Sequence, residues 1–166
     1  MKKTDAGSVP ADSIAQGPAP VNRRTGRALP LPVRSVTLQN GLLVAAGGAI
    51  GSVLRYAVAL LAIGRWGPGF PWGTLIVNVV GCFAIGAIAE LATDGLLGMS
   101  PNARLFLATG ICGGFTTFSS FGLDALQLTR AGALAGAFAY VAGSLILGLA
   151  AVYAGVVAAR LVVPHP

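Results

Sequence analysis

Four apolar blocks, at approximately residues 41–64, 72–93, 102–128 and 131–161, are each long enough to cross a bilayer. A hydrocarbon core of about 30 Å takes about 20 helical residues to span. Because lipid offers no hydrogen-bond partner, a crossing segment must satisfy its own amides and carbonyls, which makes helices of all four. Composition agrees: 55% of the 166 residues are hydrophobic and 10% are charged, against roughly 25% charged in soluble domains. The connectors are too short to fold separately. The sequence therefore predicts an all-α membrane protein with its function inside the bilayer.

Residues 1–36 have a different character. They carry Pro10, Pro18, Pro20, Pro30 and Pro32, and the cations Lys2, Lys3, Arg23, Arg24, Arg27 and Arg34 against Asp5 and Asp12. With no apolar period, this segment reads as a disordered basic tail preceding a transmembrane domain at 37–166. Lys2 and Lys3 are not followed by an apolar run, so a signal peptide is not expected. The net charge of +6 comes mostly from the tail, so nucleic acid is not an expected partner, and the basic cluster suits anionic lipid. Cys82 and Cys112 fall inside apolar blocks and read as small packing residues, not as a disulfide.

Charge at the block ends is balanced. Arg104 and Arg160 mark one side, with both termini, and Arg65 and Arg130 mark the other. Such balance gives no positive-inside preference, as in a protein that inserts in both orientations. The tail arginines beside block one break the tie.

Polar residues inside a spanning helix are functional candidates, because hydrocarbon gives them no partner. In GGAIGSVLRY, Gly47 and Gly51 form a small-xxx-small face, and Arg55 continues that row. Arg55 reads either as a snorkelling side chain or as an arginine that draws anions into a vestibule. In GTLIVNVVGCFAIG the polar interior residue is Asn78, suited to an interhelical bond or to a pathway. GICGGFTTFSSF, Gly110 to Phe121, holds more. Its glycines weaken the helix, and Thr116 and Thr117 can bond backbone carbonyls. A break near Gly113–Thr116 would release carbonyl oxygens, hard ligands that suit a small hard cation. Phe118 and Phe121 share a face, with Ser119 and Ser120 between them. Block four places Tyr140 and Ser144 four apart, with Gly136 and Gly148 extending the stripe. Asp124, Glu90 and Asp94 fall towards block ends, so no deep carboxylate serves proton coupling. Uncharged donors and positive ring edges fit a small anion that must shed water gradually.

Taken together, GGAIGSVLRY, GTLIVNVVGCFAIG, GICGGFTTFSSF and YVAGSLILGLAAVYAG resemble the Fluc (CrcB) family of fluoride channels over roughly residues 41–161. The resemblance implies a passive, fluoride-selective channel of the plasma membrane that lowers fluoride toxicity. It also implies an antiparallel, dual-topology homodimer with two pores. A structural sodium ion at its centre would be held by the backbone carbonyls of Gly113 and Thr116. Asn78, Thr117, Phe118, Ser119, Ser120, Phe121, Tyr140 and Ser144 match the fluoride pathway, Arg55 and Asp124 the vestibules. Departures are mild: Ser120 replaces a common threonine, Cys82 a common serine, and Gly148 and Ala150 stand where some relatives carry a hydroxyl.

Other readings fit less well. A proton-coupled small multidrug-type transporter needs a carboxylate in its first helix, where this chain has Arg55. A non-transporting structural protein would explain the glycine faces but not the aligned donors and aromatic pair. An enzyme is not expected, since no His, Cys or carboxylate cluster lies within the blocks and His165 lies near the C-terminus.

Overall fold

The structure, a computed structural model, describes residues 37–93 and 99–162. The tail, Asp94 and His165 lie outside the described residues. The helices are α1 (Leu38–Trp66), α2 (Trp72–Thr93), α3 (residues 101–115), α4 (Phe118–Arg130) and α5 (Leu134–Val162). They make four crossings long and apolar enough for a membrane, the third being α3 and α4 together over Pro101–Arg130. This is a multi-pass membrane protein, and its crossings lie within a few residues of the blocks read from sequence.

Local chemistry sets the ends. Thr37 caps α1 by accepting from the Asn40 amide, and Ser100 caps α3 by accepting from Ala103, with Pro101 at the first helical position. Gly67, at φ 76°, ends α1 in a backbone conformation that other residues adopt at a cost.

The third crossing is interrupted at Thr116 and Thr117, the C-terminal edge of the expected stretch. Thr116 (φ −85°, ψ 159°) and Thr117 (φ −154°, ψ 120°) are extended, whereas Gly113 remains helical at φ −63°, ψ −37°. Leu105–Cys112 is wound as a wider π-helix, a form that often marks functional sites. Two β-branched residues favour the extended break, and it is stabilised on both flanks. The Thr116 hydroxyl donates back to the Cys112 carbonyl at 2.9 Å. Thr117 caps α4 by accepting from the Ser120 amide at 3.1 Å.

The glycines of this region serve close approach. Gly47 and Gly51 of α1 lie against Gly110 and Gly114 of α3: a Cβ on Gly51 would overlap the Ile111 carbonyl, and one on Gly110 would lie 3.0 Å from Gly47 Cα. Two small-xxx-small faces thus bring α1 and α3 backbone to backbone. Gly86 and Gly155 do the same for α2 and α5, against the Val152 and Phe83 carbonyls. Beyond them, Arg160 Nε meets Glu90 Oε1 at 2.7 Å. With the helices this close, few large side chains are enclosed; Val77 and Tyr140 are the fully buried ones among the described residues.

Candidate functional site

The site grows from the bond between α2 and the break. The Thr117 amide donates to Asn78 Oδ1 at 2.8 Å, and Asn78 Nδ2 donates to the Thr117 carbonyl at 3.0 Å. The Asn78 side chain thus pairs with both polar groups of one extended residue, in the manner of a β-ladder. A non-helical backbone at membrane depth is tolerable only where its groups are met this way.

The pairing releases carbonyls elsewhere. In a continuous helix the Thr117 amide would serve Gly113, and the Ser120 amide would serve Thr116. Both donors are diverted, one to Asn78 and the other to the Thr117 hydroxyl. The carbonyls of Gly113 and Thr116 lose those donors, whereas that of Gly114 accepts from Arg55 Nε at 3.1 Å. Gly113 is also exposed, with open space where a Cβ would stand. Among the described residues no cluster of three or more His, Cys, Asp or Glu side chains could hold a metal.

A cavity of about 390 Å³ opens beside the break, bounded by Asn78, Gly113, Thr116, Phe118 and Ser144. The Ser144 hydroxyl is buried without a hydrogen-bond partner among the described residues. Buried polar groups are normally paired, so an unpaired hydroxyl on a residue that lines a cavity departs from the usual pattern. A second cavity, of about 280 Å³, is lined by Arg55, Thr74, Thr117 and Ser120. Thr117 borders both, so the Asn78–Thr117 pair stands between them. Its hydroxyl lies 3.2 Å from Ser119 Oγ and donates to Ser120 Oγ at 3.1 Å, concentrating rotatable hydroxyls at the divide. A wider mouth of about 600 Å³ is lined by Phe70, Thr74, Ser120 and Asp124 near the α1–α2 connector.

Aromatic rings run through the same region. Phe118 and Phe121 have centroids 5.4 Å apart, and Phe121 lies 5.3 Å from Tyr140. Phe118 is 81% exposed, free to border whatever covers this face. Tyr140 is fully buried, and its phenol donates to Asp124 Oδ2 at 3.3 Å. That bond occupies the phenol proton and joins two residues that the sequence reading placed separately, one in a pathway and one in a vestibule. Arg55 is half-buried with its Nε on the end of α3, so its charge faces the carbonyl end of that helix as well as the cavity.

Sequence reasoning overlooked Thr74. It lines both cavities on the connector side. Its spacing of four from Asn78, the same that singled out Tyr140 and Ser144, was the available signal.

Residues 42–156 match a family model described as CrcB-like protein, Camphor Resistance (CrcB). The chain is also similar to curated relatives called fluoride-specific ion channel FluC. That of Rhizobium etli is 55% identical over 122 residues, covering 74% of this chain and 97% of the relative. That of Chlorobium luteolum is 50% identical over 119 residues, covering 72% and 91%. That of Thermus thermophilus is 49% identical over 118 residues, covering 71% and 93%.

Proposed function

The chain belongs to the CrcB-like family, and we propose that it conducts fluoride passively across the plasma membrane, exporting the anion and lowering its toxicity. Membership places it in a channel family, which is not a class of enzymes. The observation that carries the reading is the unpartnered Ser144 hydroxyl in a cavity wall beside Asn78 and Phe118. A small, strongly hydrated anion needs donors to replace its water. The hydroxyls of Thr117, Ser119 and Ser120 continue the supply at the divide between the cavities, and ring edges of Phe118 and Phe121 carry partial positive charge. The Asn78 amide, engaged with Thr117 through one N–H, keeps its second N–H for the solute. Arg55 draws anions to the connector-side cavity.

No step requires an energy source. Hydrogen fluoride crosses bilayers as the neutral acid and releases fluoride in a more alkaline interior, and an interior-negative potential drives the trapped anion out through the channel.

The working unit is an antiparallel homodimer. Balanced charges at the crossing ends suit two orientations, and the exposed face around Gly113 and Phe118 suits a second copy. The Gly113 and Thr116 carbonyls fit a hard monovalent cation, and two oxygens per chain are too few to replace its water, so a two-fold partner completes the set. Sodium bound there would supply a charge that ties the two breaks together.

The test is release of fluoride from proteoliposomes under a potassium gradient with valinomycin, read by a fluoride electrode beside a chloride electrode. Fluoride release with chloride retained supports the reading; equal retention of both by folded dimer overturns it.

A further inference from the structure

The connector between α1 and α2 reaches towards the proposed pathway. Phe70 meets Tyr140 edge-on, with centroids 5.7 Å apart and planes at 89°. It also lies 4.6 Å from Trp72, which lies 6.0 Å from Trp66. With the contacts of Tyr140 to Phe121 and Phe121 to Phe118, one unbroken series of rings joins the connector to the break. The connector backbone is itself fixed. The Gly67 amide donates to Ile63 at 2.8 Å, the Trp72 amide donates to the Phe70 carbonyl at 2.8 Å, and Pro68 and Pro71 restrict the turn.

Tyr140 explains why this matters. Its phenol tip is held by Asp124. A bond at the tip leaves the ring free to rotate about the axis from Cγ to that oxygen. The plane of the ring is settled only by neighbours on its sides, and the ring neighbours of Tyr140 are Phe70 and Phe121. We propose that Phe70 is a positioning residue for conduction: it fixes the plane of Tyr140, which in turn fixes the ring of Phe121 beside the fluoride path. Phe70 itself lines the outer mouth and is absent from the lining of the cavity beside the break. The inference rests on the fluoride-channel reading.

The test combines flux with a readout that does not need conduction. Phe70→Leu and Phe70→Met remove the ring while keeping bulk, and Phe70→Tyr keeps the ring. Protein carrying 4-fluorophenylalanine gives a fluorine NMR resonance for Phe121, assigned by its loss in Phe121→Leu. Phe70→Leu and Phe70→Met should lower fluoride efflux about three- to tenfold, the range of one aromatic contact, and should shift or broaden the Phe121 resonance. Phe70→Tyr should restore both. An unmoved Phe121 resonance, or efflux equal to the parent protein's in both variants, would overturn the proposal. A parent protein silent towards fluoride contradicts the channel reading instead, and the resonance then decides the positioning by itself.

Discussion

Asn78 and Thr117, 39 residues apart in sequence, exchange two hydrogen bonds of 2.8 and 3.0 Å, and through them one side chain replaces a missing turn of helix. The break, the two released carbonyls and the wall between the cavities all depend on that exchange.

Replacing Asn78 with Ala leaves the Thr117 amide and carbonyl unpaired at membrane depth. Two lost bonds at about 1–1.5 kcal/mol each, with a further penalty for the buried orphans, give a loss of roughly 2–4 kcal/mol. Asn78→Ala should therefore lower thermal stability in detergent as well as flux. Asn78→Asp should also fail to restore the pairing, because a carboxylate cannot donate to the Thr117 carbonyl.

Ser144 behaves in the opposite way. Its hydroxyl has no partner to lose among the described residues, so Ser144→Ala should leave the melting temperature unchanged or raise it, while fluoride efflux falls. Thermal unfolding alongside liposome flux separates the two effects. A joint loss of stability and flux would show that the hydroxyl holds the fold.

The glycines sort into two kinds. Gly51→Ala forces a methyl into the Ile111 carbonyl, and because its three nearest atoms, from Ile111, Phe115 and Gly114, are all backbone, the helices must part, at a cost of about 3 kcal/mol or more. Gly113→Ala meets nothing within 4 Å in a single chain and lies in a helical conformation. It should leave the isolated fold intact, or stabilise it by up to about 1 kcal/mol, while weakening the proposed dimer. Size-exclusion chromatography over a dilution series reads that difference.

Glu90→Gln removes the charge that Arg160 meets at 2.7 Å. Arg160 is largely exposed, so the expected loss is below about 1 kcal/mol and shrinks further in high salt. Melting curves at low and high ionic strength check it.

The crossings were legible because hydrocarbon leaves the chain so few options: length and apolarity place them within a few residues. The weakness of the third crossing was legible too, but the role of its glycines was not. Glycine lowers helix propensity wherever it stands, whereas here Gly110 and Gly114 pay that cost to admit α1, and the extended residues are Thr116 and Thr117. That division depends on which backbone lies opposite, a fact of packing. Partnership was hidden for the same reason. Asn78, Tyr140 and Asp124 stood out as polar residues among apolar ones, but only the fold reveals that Asn78 spends itself on Thr117 and Tyr140 on Asp124. Thr74 and Phe70 went unremarked because a threonine at a helix start and a phenylalanine in a turn are ordinary; the cavities that Thr74 lines and the contact of Phe70 with Tyr140 are tertiary.

The most direct measurement is fluoride efflux from proteoliposomes containing the parent protein and the Ser144→Ala variant, with chloride followed in parallel. Rapid, chloride-free fluoride release by the parent, reduced in a variant of undiminished stability, is the predicted result. Fluoride retention by folded parent protein, or full-rate release by Ser144→Ala, would contradict a pathway built on the unpartnered hydroxyl beside Asn78.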